Sequence, residues 1–285
     1  MHAPTEVDEA VALLEEHGDD ASVYAGGTEL LLALKAGFLA VERLVDVKGI
    51  PELGKVREGQ NEVVIGAAIT YRTLERHPAV RRRIPALARL VSEIANVRVR
   101  TAGTLAGNLC FAEPHSDPAV LLMCMDAEVA CRGPGGERRI PLAGFFAGPY
   151  ESALHGDEVA TRVHVPTQSA RSPTAFERFR MFERPTANAA VRLDLDGEDR
   201  VARAVVAVGA AGPTPARATR AEALLVGAPR GDLRDRFPAV RDAVSDEIEV
   251  MEDGYGSEDF KRHLSAELVI RALARVAGNP ELSDG

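Results

Sequence analysis

The sequence predicts an α+β chain in two parts. A strand–turn–helix–strand order runs through residues 22–50, and two glycine-rich segments each stand where a strand or loop runs into a helix. A linker-like stretch at residues 168–173, rich in Ser and ending in Pro, separates this region from a pair of strand-like runs and a helical tail.

Thr5 is expected to cap a first helix whose Val7, Val11 and Leu14 form one apolar face, with Gly18 at its end. Residues 22–25 read as a short buried strand entering the turn Ala25-Gly26-Gly27-Thr28. Residues 29–35 read as the following helix, stopped by Gly37, and residues 43–47 as the next strand. This small unit closes near Ile50. Residues 62–66 open a second region as a strand, and residues 84–95 have helical spacing. After the second glycine segment, residues 117–125 predict a helix and residues 127–131 a strand, which Pro134-Gly135-Gly136 turns back toward Arg139 and Ile140. Residues 159–165 form another strand, closed by Pro166. Beyond the linker, Phe176, Phe179 and Phe182 read as a packed helical face. Residues 187–195 and 201–208 are strands joined through Asp196-Gly197-Glu198-Asp199. The remainder reads as helical, and the last helix starts near Ser257 with Phe260, Leu264 and Leu268 on one face.

Composition narrows the function. The chain has 285 residues, 46% hydrophobic and 27% charged, which is globular rather than disordered. A net charge of -9 disfavours nucleic acid, whose phosphates demand clustered positive charge. The arginines from Arg72 through Arg81, Arg82 and Arg83 to Arg98 and Arg100 read as a solvated helix face. No stretch approaches the ~18 apolar residues of a membrane helix. No secretory leader is visible, so a cytoplasmic location is expected. Cys110, Cys124 and Cys131 form no CxxC pair and cannot complete an all-cysteine cluster, so reduced thiols and no metal site are expected.

The glycine segments, Ala25-Gly26-Gly27-Thr28 and Gly103-Thr104-Leu105-Ala106-Gly107-Asn108, carry the chemistry. Glycine lets backbone N–H groups approach a ligand closely, and a helix start adds unpaired donors. Two such seats suggest an extended, phosphate-bearing cofactor such as a dinucleotide. Neither segment is a P-loop or a GxGxxG fingerprint. The second continues into His115-Ser116-Asp117, which has the residue types of a hydrolytic triad. Neighbouring side chains on an extended segment point apart, so no catalytic residue is expected there. Asp117 reads either as a helix N-cap or as a ligand-binding carboxylate.

With those residues in place, the chain resembles the FAD-binding subunits of molybdenum hydroxylases, the family of xanthine dehydrogenase and aerobic carbon monoxide dehydrogenase. The matching text is AGGTELL at 25–31, RTAGTLAGN at 100–108, PHSD at 114–117, DAEV at 126–129 and GDEV at 156–159. Residues 257–272 look like the family's terminal helix. The resemblance implies a two-lobed FAD-binding domain of the vanillyl-alcohol-oxidase-like type at 1–167, with lobes of about 1–52 and 53–167. A C-terminal flavoprotein domain with a small antiparallel sheet and helices would follow at 173–285.

It also implies site residues. Tyr24, Ala25, Gly26, Gly27, Thr28, Glu29, Leu30 and Leu31 would wrap the pyrophosphate of a non-covalent FAD. Arg100, Thr101, Gly103, Thr104, Leu105, Ala106, Gly107 and Asn108 would hold it from the other side. Asp117 would accept hydrogen bonds from the ribityl chain, and Ala160 would make a backbone contact near the flavin. Arg178 stands where the family often has a lysine near the ring, and Phe176 where it often has a tyrosine. Ala106 replaces a family glycine and requires a negative φ. The implied function is electron transfer from a [2Fe–2S] small subunit through FAD to a quinone, NAD⁺ or O₂. Substrate oxidation would occur on a molybdenum-pterin large subunit, in a heterotrimer or its dimer. The rival readings are a stand-alone FAD-dependent oxidoreductase and a flavin-free assembly module.

Overall fold

The computed structural model describes residues 1–278 and separates into two units. The first comprises residues 1–113 and 127–167, and the second residues 114–126 and 168–285, of which 279–285 are not described.

The first unit opens with helix α1 (Val7–His17), whose Val7, Ala10, Val11 and Leu14 are buried. The expected Thr5 cap is corrected here. Glu6 occupies the cap position with no side-chain bond, and the restraint runs the other way, from the Thr5 N–H to the Glu9 carboxylate at 2.8 Å. Gly18 ends the helix with φ 51°. Strands β1 (Ala21–Tyr24) and β2 (Arg43–Asp46) pair in parallel across helix α2 (Leu30–Ala36), and His2 bridges the outer side of β2. Gly37 stops α2 in the left-handed region, where no Cβ obstructs it. Although α2 reads Leu-Leu-Leu-Ala-Leu, none of its residues is buried.

Strands β3 (Val56–Glu58) and β4 (Glu62–Gly66) start the larger sheet. Helices α3 (Tyr71–Leu74), α4 (Pro78–Arg83), α5 (Pro85–Ser92), α6 (Val97–Ala102) and α7 (Leu105–Phe111) follow. The arginine-rich stretch belongs to these helices, and four of its arginines are charge-paired. Arg72 and Arg100 meet Glu75, while Arg82 and Arg83 meet Glu58. Strands β5 (Glu128–Gly133) and β6 (Gly136–Pro141) form the expected hairpin. The short β7 (Phe146–Gly148) and β8 (Glu151–Ser152) pair with each other in a separate sheet, and β9 (Val159–Pro166) completes the antiparallel order β3-β4-β9-β5-β6.

The second unit holds helix α8 (Asp117–Cys124), in which every residue after Asp117 is buried. Its sheet has the antiparallel order β10 (Thr174–Phe179), β11 (Ala187–Leu195), β12 (Val201–Gly209) and β13 (Ala216–Arg217). Helices α9 (Thr219–Leu225), α10 (Phe237–Glu247) and α11 (Glu258–Val276) supply the rest of the core, and Ser257 caps α11. β11 is buried almost without alternation because both of its faces are covered, by α8 and by α11. The helical reading of the phenylalanines is corrected: Phe176 and Phe179 lie in β10, an edge strand, and Phe179 and Phe182 are exposed. Among the described residues no helix is long and apolar enough to cross a membrane.

Candidate functional site

The two glycine segments meet within the first unit. An added Cβ on Gly26 would lie 2.5 Å from the Ala102 carbonyl oxygen and 2.7 Å from the Gly103 Cα. The first turn therefore rests backbone-on-backbone against the second. Gly27 has φ 66°, and a Cβ there would lie 2.3 Å from Cε2 of Tyr24. Glycine is required at 27 by both conformation and space. The Tyr24 ring is itself held from β2's side, with Lys48 Nζ 3.8 Å from its centroid and the same ammonium 2.9 Å from Asp46.

The second segment is fixed by its own hydrogen bonds. The Gly103 N–H donates to Val99 O at 2.7 Å, and the Gly103 carbonyl accepts from the Tyr71 N–H at 2.9 Å. Thr104 caps α7, its hydroxyl accepting from the Gly107 N–H at 3.0 Å. Ala106 lies inside α7 with a negative φ, so the missing glycine leaves the backbone undisturbed.

Between the segments runs a groove of ≈ 410 Å³, in the size range of cofactor sites. It is lined by Ala25, Gly26, Gly27, Thr28, Glu29 and Leu30 from the first segment, by Thr104, Ala106, Gly107 and Asn108 from the second, and by Ala160 of β9. The other expected residues stand behind or away from these walls. Tyr24, Leu31 and Gly103 back the turns, and Leu105 is fully buried. Arg100 is held by Glu75 at 3.0 Å and the Ile94 carbonyl at 2.9 Å, and the Thr101 hydroxyl donates to Val97 O at 2.7 Å.

Asp117 and Arg178 lie in the second unit and meet each other. Asp117 accepts from Arg178 Nη1 at 2.6 Å and from Asn188 Nδ2 at 2.8 Å. Burial pushes the Asp117 carboxyl up, while Arg178 and Asn188 pull the other way. Ser116, not Asp117, caps α8. His115 turns to Asp253 at 3.1 Å, which also receives the buried Lys261 ammonium at 2.6 Å. The triad residue types are thus committed to separate tasks.

Several groove residues were not assigned to the site from sequence: Tyr71, Cys110, Phe111, Leu154, Gly156 and Glu158 among them. Glu158 could have been found, since it lies in the GDEV stretch that carried the resemblance. Burial pushes the Cys110 thiol up to about 12, so it is neutral and a poor nucleophile at neutral pH. Among the described residues no group of His, Cys, Asp and Glu side chains is placed to hold a metal ion. Thin backbone turns, an N-cap and a long groove with little charge fit a long ligand with an anionic middle, as FAD is.

Comparison with known proteins agrees. Residues 1–168 match the family model described as the FAD binding domain in molybdopterin dehydrogenase, and residues 177–276 match the CO dehydrogenase flavoprotein C-terminal domain. The carbon monoxide dehydrogenase medium chain of Hydrogenophaga pseudoflava is 34% identical over 274 residues, covering 95% of this chain and 94% of that one. The caffeine dehydrogenase subunit beta of a Pseudomonas species is 29% identical, covering 96% and 93%. Among solved structures, carbon monoxide dehydrogenase from Hydrogenophaga pseudoflava lacking the Mo-pyranopterin moiety superposes with a TM-score of 0.93 at 35% identity, covering 98% and 96%. Reconstituted CO dehydrogenase from Oligotropha carboxidovorans gives 0.92 at 27% identity, covering 98% and 97%.

Proposed function

Because this chain belongs to the FAD-binding subunits of the molybdenum hydroxylases, we propose that it is the electron-transfer subunit of a larger oxidoreductase. The observation that supports this best is the meeting of both glycine segments in one groove. The bare backbone at residues 25–28 and 104–108 would hold the pyrophosphate and ribityl chain of a non-covalent FAD. Asp117 would take ribityl hydroxyls, and Arg178 would act beside it. Bound FAD supplies the redox chemistry, linking a [2Fe–2S] small subunit to an acceptor such as a quinone, NAD⁺ or O₂.

The protein's own task is to position the cofactor, keep water from part of it and leave one edge open. Substrate oxidation belongs to a molybdenum-pterin large subunit, in a heterotrimer or its dimer. Next to the first turn, Leu32 is 60% and Phe38 88% exposed, and an apolar surface of this kind suits a subunit of an assembly. Free cysteines suit the reducing cytoplasm. The flavin-free reading rested on Ala106, and its negative φ removes that support.

The test is isolation of the native assembly. Two further polypeptides should accompany this chain, with molybdenum, iron and one FAD per copy that acid precipitation releases. Flavin that stays with the precipitated polypeptide would refute the non-covalent site. A chain that purifies alone and turns over substrate would favour the stand-alone oxidoreductase.

A further inference from the structure

Residues 153–158 carry no helix or strand, yet they supply Leu154, Gly156 and Glu158 to the groove, and Ala160 follows immediately on β9. The segment's backbone is held at Ala153, whose N–H donates to Phe145 O at 2.7 Å, and at Glu158, whose N–H donates to His155 O at 3.0 Å. A segment with so few backbone bonds needs further restraint to present a fixed surface. One guanidinium adds it at both ends. Arg138, on β6, donates from Nε to Glu158 Oε1 at 2.6 Å and from Nη2 to Glu158 Oε2 at 2.7 Å. The same Nη2 donates to the Ala153 carbonyl at 2.8 Å. From within the segment, the His155 N–H donates to Glu158 Oε2 at 2.8 Å. The Glu158 side chain is only 7% exposed. Gly133 makes room for it, since a Cβ there would lie 2.9 Å from Glu158 Cγ.

We propose that Arg138 and Glu158 are positioning residues for the bound cofactor: the guanidinium clamps both ends of the 153–158 segment and so sets the groove wall formed by Leu154, Gly156 and Ala160. The inference rests on the reading that this groove holds FAD. The Arg138 hydrogen bonds bring the Glu158 carboxyl down to about 2, so the clamp is fully charged at neutral pH. A bidentate fork fixes direction as well as distance, which a lysine at 138 could not do.

The test is FAD titration of the full-length chain by flavin fluorescence, with visible circular dichroism of the bound flavin and a urea melt of the flavin-free protein. Glu158→Gln, Arg138→Lys and the double variant Arg138→Gln/Glu158→Gln are compared. Each single variant should lose roughly tenfold in affinity, about the size of one charge-assisted hydrogen bond, and should alter the flavin dichroism. The double variant should lose little more than either single, because the two groups act as one unit. If Glu158→Gln does not fold, the milder Arg138→Lys carries the comparison. Wild-type affinity and dichroism in the variants, with only a lower melting midpoint, would reduce the pair to a brace of the sheet and overturn the proposal alone. Independent, multiplying losses would overturn it as well. Absence of saturable FAD binding by the wild-type chain would overturn the groove reading and the clamp together.

Discussion

Gly26 packs its bare Cα against the carbonyl of Ala102, 2.5 Å from where a side chain would begin. The distance between the two groove walls is therefore set by the absence of one methyl group. Gly26→Ala must separate the turns or strain them. It should weaken FAD binding by at least roughly tenfold and cost about 1–3 kcal/mol of stability, as overpacking does elsewhere. Fluorescence titration and a urea melt read the two effects. Unchanged affinity would mean that this contact does not shape the groove.

Asp117 offers a second test, because Arg178 and Asn188 already occupy both of its oxygens. Asp117→Ala removes the charge-assisted bonds of Arg178 and Asn188 to this carboxylate, whose pair with Arg178 is 11–12% exposed, so a stability loss of about 1–3 kcal/mol is expected. If the carboxylate also takes ribityl hydroxyls, FAD affinity should fall by roughly 10- to 150-fold. Asp117→Asn keeps an acceptor and should lose less on both counts. Loss of stability with unchanged affinity in both variants would confine Asp117 to holding the second unit together.

The Glu158 carboxyl predicts a pH dependence. Its folded value, about 2, lies below the ordinary 4.5 because Arg138 bonds the ionised form. A depressed acid contributes stability above its unfolded value and loses it as pH falls toward the folded one. Glu158→Gln should thus be less stable than wild type by about 2–3 kcal/mol at pH 7. The gap should close between pH 4.5 and 2. Urea melts across that window decide it, and a gap that does not change with pH would exclude the ion pair as its source.

The parts legible in sequence were those with a local cause. Gly37, the Gly135-Gly136 turn and Ser257 each act within a few residues, and the strands and helices beside them fall where expected. Thr5 misled because the Glu9 carboxylate, one helical turn on, accepts from the N–H and hydroxyl of Thr5 itself, while Glu6 takes the cap position. Phe176 and Phe179 misled because a spacing of three puts residues on one face of a helix but on opposite faces of a strand, which is what β10 is. The glycine segments were legible as seats, but that Gly26 faces Ala102 was not, since nothing local links them. The placement of α8 with the second unit depends on its packing against β11 and β12 in the same way. Arg138 and Glu158 are likewise distant partners, joined only when β6 and the segment before β9 come together.

If, as proposed, this chain passes electrons and does not oxidise the substrate itself, its flavin should respond to a reductant but not to a hydroxylase substrate. The direct measurement is the visible absorbance of the FAD-loaded chain, mixed anaerobically with dithionite and then, separately, with hydroxylase substrates such as a purine, an aldehyde or carbon monoxide. Dithionite should bleach the flavin band, and no substrate should do so until the [2Fe–2S] and molybdenum subunits are added. Bleaching of the isolated chain by any of those substrates would rule out a pure electron-transfer role and identify it as an oxidoreductase in its own right.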